Sequence, residues 1–157
     1  MRDPVTKVAA MMIAAPHFNR EKFRLGSRLF LAFAYGLAGV LHVAHADWFL
    51  KIVPHWVPLA RPVIIITGIC EVLGAIGLLT PRFRAASGSA LALYAVCVYP
   101  ANIKHAIDSL SATPVTLGWW YHGPRLALQP VLVWWAMFAG GVLDWPFERN
   151  WTEFRSG

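Results

Sequence analysis

The sequence predicts an all-α protein, an integral membrane four-helix bundle with both termini cytoplasmic and a polar pocket in its outer half. Three observations lead there. The chain is 57% hydrophobic and only 14% charged, whereas a soluble domain carries about 25% charged residues. Its apolar residues gather into four segments, about 27–46, 62–80, 84–104 and 124–143, each near the roughly 20 residues that a spanning helix needs. The basic residues are unevenly shared between the two ends of those segments, ten against four.

Helices follow from the solvent, because a backbone in hydrocarbon must satisfy its own hydrogen bonds. Ahead of the first helix, residues 1–26 read as a cytoplasmic basic segment. Its apolar run "VAAMMIAA" is too short to span, and "HFNREKFRLGSR" reads as a positive flank. Helix one ends near "HVAHADWF". The loop that follows holds Pro54, Pro58 and Pro62, which bar a long helix, while its Trp48 and Trp56 suit the membrane interface. Helix two descends to the tight turn "TPRFR", and helix three climbs back to "YPANIKHAIDS". An aromatic belt, "WWYHGP", precedes helix four, with Pro124 placed in a first helical turn. The four-helix transmembrane domain thus covers 27–143. Residues 144–157 form a cytoplasmic interfacial tail anchored by Trp145, Phe147, Trp151 and Phe154. Loops at 47–61 and 106–123 lie outside. With this topology the basic excess falls on the cytoplasmic side, so the formal charge of +6 reflects orientation and not nucleic-acid binding.

The polar residues concentrate in the outer half, and nothing comparable is expected in the inner half. Glu71 lies nine residues after Pro62, roughly 13 Å down its helix. Its stripe, Thr67, Gly68, Gly74, Ala75 and Leu78, is small, and the opposite side is bulky. Membrane helices pack through small residues, so Glu71 should face the interior. His42 shares a face with Tyr35, Ala38 and Gly39. Asn102 and His105 come from helix three, Arg125 and Gln129 from helix four. Pro100 should loosen helix three and free a carbonyl near Val96. A carboxylate costs at least about 2.5–3.5 kcal/mol to insert, while interhelical hydrogen bonds average about 0.6 kcal/mol. Serine or threonine would clamp helices at less cost. Glu71 is therefore the candidate catalytic acid, with His42, Asn102, His105, Arg125 and Gln129 as candidate ligand-binding residues. The competing reading is a polar clamp.

Other chemistry finds less support. Cys70 and Cys97 form no CxxC and read as small packing residues. His42, His45 and His105 lack anything that sets them opposite one another, so metal and haem are not expected. His45 and His55 read as interfacial, and His17 and His122 as solvent-side.

Four stretches together, "GVLHVAHADWFLKIVPHWVP", "TGICEVLGAIGLLTPRFR", "VYPANI" and "PRLALQPVLVWW", closely resemble the DoxX-like family of small bacterial membrane proteins. The resemblance implies a four-helix bundle in the bacterial cytoplasmic (inner) membrane. It implies polar-motif positions at His42, Glu71, Asn102, Arg125 and Gln129, with Pro54, Pro81 and Pro100 as structural marks. The name-giving members resemble a subunit of thiosulfate:quinone oxidoreductase, and other relatives are associated with redox or thiol-stress systems. A quinone-like ligand bound in contact with membrane lipid, with a partner redox protein, is the function implied. The chain departs from a self-sufficient redox enzyme in lacking flavin and dinucleotide fingerprints. A non-enzymatic accessory or assembly subunit is the alternative.

Overall fold

The computed structural model describes residues 20–115 and 117–147, and every regular element among them is helical. In chain order these are α1 (Arg20–Ala44), α2 (Ala46–Leu50), α3 (Ala60–Leu79), α4 (Arg84–Ser111) and α5 (Trp119–Gly140). The all-α expectation is met. Three helices, α1, α3 and α4, are long and apolar enough to cross a membrane. The fourth long helix, α5, has 22 residues, about 33 Å at the α-helical rise. Its N-terminal half carries Trp119, Trp120, Tyr121, His122, Arg125 and Gln129, which suit an interface better than a hydrocarbon core.

The four long helices alternate in direction. α1 packs on α3, α3 on α4, α4 on α5 and α5 back on α1. The interior is built from small residues, with Ala32, Ala75, Ala92, Ala95, Ala136 and Ala139 all buried. Bulky residues point the other way: Phe33, Ile66, Leu73, Leu93 and Val96 are each more than half exposed. A soluble protein of this size does not display so much apolar surface, whereas lipid removes any penalty for it.

Glycines set the closest approaches. A Cβ on Gly39 would lie 2.5 Å from the Gly68 carbonyl oxygen, and one on Gly68 would lie 2.8 Å from the Gly39 carbonyl oxygen. α1 and α3 therefore touch backbone to backbone. Gly88 and Gly140 do the same between α4 and α5, where a Cβ on either would reach the other's Cα at 2.7–2.8 Å. The Gly74 notch of α3 is filled by Leu91 of α4.

Several boundaries differ from expectation, for identifiable reasons. α1 already includes residues 20–26, expected as a flanking segment. α4 continues past Pro100 to Ser111, so the connection to α5 is shorter than the expected 106–123 loop. Helix continues through a proline where a neighbour satisfies the disturbed carbonyls. Here Gln129 Nε2 donates to the Ala95 carbonyl at 2.5 Å, one residue before the expected Val96. α5 begins at Trp119, placing Pro124 beyond the first turn. It ends in a left-handed Gly141 (φ 78°), and the Val142 amide donates to the Met137 carbonyl at 2.9 Å, the closing bond of a Schellman turn. Trp145 is exposed, while Phe147 packs on Phe23 and Phe138. The expected anchors Trp151 and Phe154, and His17, lie outside the described residues.

The expectation of a non-polar inner half is corrected. Arg24 is buried near the C-terminus of α5. Its Nε donates to the Phe138 carbonyl at 3.0 Å, and its Nη2 to the Leu143 carbonyl at 3.0 Å and to Asp144 Oδ1 at 2.6 Å. Arg28 Nε adds a bond to the Ala139 carbonyl at 2.8 Å. Two arginines of α1 thus donate to carbonyls at the negative end of α5. In the linear sequence they look like topological charge.

Candidate functional site

Among the described residues Glu71 is the most deeply buried acid. It is buried, 3% exposed, because its neighbours on α3, Gly68, Gly74, Ala75 and Leu78, are the small and buried stripe of that helix. His42 reaches it from α1, and His42 Nδ1 and Glu71 Oε2 share a hydrogen bond of 2.6 Å. The Gly39–Gly68 contact makes this bond reachable: a Cβ on Gly39 would lie 3.0 Å from that of Glu71. The His42 ring also packs on Phe49 of the short helix α2, at 4.1 Å between centroids. Tyr94 of α4 lies beside both Glu71 and Thr67, with Tyr35 edge-on to it at 6.3 Å. The acid therefore sits among an imidazole, a hydroxyl and a phenol drawn from three helices.

A second polar chain lies between α4 and α5. Arg125 Nη2 donates to Asn102 Oδ1 at 2.7 Å, Asn102 Nδ2 donates to Gln129 Oε1 at 3.0 Å, and Gln129 reaches the Ala95 carbonyl. Among the described residues no hydrogen bond or ion pair joins this chain to Glu71. The expected single constellation is thus two: His42 with Glu71, and Asn102 with Arg125 and Gln129. They approach where Tyr94, which neighbours Glu71, adjoins Ala95 in sequence. His105 belongs to neither chain. Its ring meets Tyr121 and His122 at centroid distances of 6.4 and 5.1 Å.

Two further expectations are corrected. His122, expected on the solvent side, is fully buried, because α5 starts early enough to turn it toward α4, where it meets the His105 ring. Cys70 and Cys97 are free and exposed on the outer helix faces, where a small apolar residue meets lipid as readily as it packs inside. His45 stacks on Trp48 at 4.0 Å and remains exposed, as does His55, in keeping with interfacial positions. Among the described residues no group of three or more His, Cys, Asp or Glu side chains is placed to hold a metal ion. Sequence reasoning missed Tyr94. Its signal was a phenol within an apolar span of the helix that the tight turn pairs with α3.

Small residues inside, bulky residues outside and three helices fit to cross a bilayer define a helical membrane-type protein with a buried acid at its centre. Residues 31–140 match the family described as "Domain of unknown function (DUF8561)", and the chain belongs to that family. The match runs from within α1 to the last residue of α5 and includes every candidate site residue. No curated protein and no solved structure matches the chain.

Proposed function

We propose that this protein is a four-helix bundle of the bacterial cytoplasmic membrane, related to the DoxX-like proteins. In this reading both termini face the cytoplasm, and His42 with Glu71 forms a proton-handling pair for a lipophilic, quinone-like ligand in a polar pocket of the outer half. The observation that carries the reading is the 2.6 Å bond between a titratable ring and a 3% exposed carboxyl. Ionisable groups inside a membrane are costly and mark ligand or proton pathways. A clamp needs neither group to titrate.

The residues suit a quinone head. A carbonyl needs a hydrogen-bond donor beside an apolar wall. His42 commits Nδ1 to Glu71 and leaves Nε2 uncommitted among the described residues, and Phe49 forms a wall against the ring. A quinone, when bound, supplies two-electron redox chemistry. The chain's own part is to orient the head through His42, hold a proton on the His42–Glu71 pair, and exclude water with Tyr35 and Tyr94. Electrons would come from a partner redox protein.

The test compares wild type, Glu71→Gln and Glu71→Leu in one detergent preparation. A short-chain ubiquinone analogue should raise the melting temperature of wild type. Glu71→Gln keeps size and hydrogen bonding, so it should fold at a similar melting temperature and lose the response. Glu71→Leu should be destabilised, because the His42 ring loses its partner. A Gln variant that responds like wild type would reduce Glu71 to a clamp. A wild type that ignores the analogue yet retains a stable protein partner would favour the accessory-subunit reading.

A further inference from the structure

The α4–α5 interface near the start of α5 presents donors in excess of acceptors. His122 lies in the first turn of α5, is fully buried, and has no hydrogen-bond partner at either ring nitrogen. An imidazole so placed forgoes the hydrogen bonds that water would give it. Arg125, one turn further on, is half-buried. Among the described residues no carboxylate pairs with it: its guanidinium bonds the neutral Asn102 and stands over the Tyr121 ring at 5.8 Å. The nearby acid on α4, Asp108, is already paired with Lys104. The α5 N-terminus has Gly118 as its N-cap and no side-chain capping bond.

These features converge around one ring. His105, His122 and Arg125 all lie against Tyr121, at 6.4, 4.9 and 5.8 Å from its centroid. A guanidinium with only a neutral amide as hydrogen-bond partner, two imidazoles and a helix N-terminus share one complement, an acceptor-rich anion. A cation would meet the Arg125 charge. We propose that His105, His122 and Arg125 form a binding site for a phosphate-type oxyanion at the start of α5. At a helix end such a group comes either from free phosphate or from the headgroup of an anionic lipid. This site is separate from the His42–Glu71 pair and does not depend on it.

The experiment uses the full-length protein in an uncharged detergent and in lipid nanodiscs. Melting is followed for wild type, His122→Phe and Arg125→Gln. Phenylalanine preserves ring volume and removes the unpartnered nitrogens, so His122→Phe should fold at least as stably as wild type. Inorganic phosphate is titrated against chloride at equal ionic strength, and phosphatidylglycerol nanodiscs are compared with phosphatidylcholine nanodiscs. The expected result is a concentration-dependent rise in wild-type melting temperature that both variants lose. A rise with inorganic phosphate assigns the site to a free anion. A rise only with phosphatidylglycerol assigns it to a lipid headgroup. No rise with either probe, or an equal rise in wild type and His122→Phe, overturns the proposal.

Discussion

Arg24 ties the start of α1 to the end of α5. In the sequence it is one basic residue among several near the start. In the structure it is buried and divides its guanidinium between the Phe138 and Leu143 carbonyls and Asp144. With Glu21 as a fourth acceptor, the planar fork reaches these groups from separate nitrogens, which the single nitrogen of a lysine cannot do. Arg24→Met should therefore remove one donor from each of the Phe138 and Leu143 carbonyls and from Asp144, which keeps its contact with Arg20. Hydrogen bonds to charged groups contribute about 1.5–3 kcal/mol each, so the variant should be clearly destabilised. Arg24→Lys should recover only part of the loss. Denaturation in detergent checks both, and a lysine variant as stable as wild type would refute the multidentate role. Glu71 is the opposite case. An acid within an apolar stripe was legible from the sequence as an interior group. Its partner was legible only as one of several polar candidates.

At the scale of the helix, glycines decide which faces meet. Gly39→Ala would push its methyl into the Gly68 carbonyl and the Val72 side chain. Overpacking of this kind typically costs about 1–3 kcal/mol, and here it would also part His42 from Glu71. The variant should lose both melting temperature and the response to the quinone analogue. Gly88→Ala meets the Ala136 carbonyl at 2.7 Å and should lose stability while keeping that response. Gly26→Ala is the internal control. Nothing lies within 4 Å of its added methyl, and alanine favours helix over glycine by up to about 1 kcal/mol, so its melting temperature should hold or rise. A ranking in which Gly26→Ala is the most damaging of the three would overturn this account of the packing. The α4 and α5 boundaries belong to the same scale. Pro100 and Pro124 are strong local punctuation, yet both lie inside helices. Gln129 donates to the Ala95 carbonyl, next to the Val96 carbonyl from which Pro100 withholds an amide.

For the whole molecule, the proposed orientation makes a direct prediction. Cys70 and Cys97 are first replaced by alanine, which their exposed positions should tolerate. Single cysteines at Ser111 and Ser156 are then tested with a membrane-impermeant thiol reagent on intact cells. Ser111→Cys, at the end of α4 nearest the connection to α5, should label from outside. Ser156→Cys should label only after the cells are opened. Labelling of Ser156→Cys in intact cells would invert or discard the topology. The expected positive-inside bias rests on Arg20, Arg24 and Arg28 among others, and Arg24 and Arg28 also bind the end of α5. If that coupling matters, Arg24→Met should lower the yield of folded protein without changing which side Ser111→Cys faces.

The sequence by itself determined the helical class, three helices of membrane-spanning length, the small-residue stripe that buries Glu71 and the short turn between α3 and α4. Each of these depends on local composition or on a 3.6-residue period, which one strand of text contains. Only the tertiary structure decided that His42 meets Glu71 while Arg125 and Gln129 meet Asn102, that His122 is buried, and that Arg24 closes the end of α5. A helical period specifies which residues share a face. It does not specify which other face lies against it, because that depends on where Gly39 meets Gly68 and Gly88 meets Gly140 across helices distant in sequence.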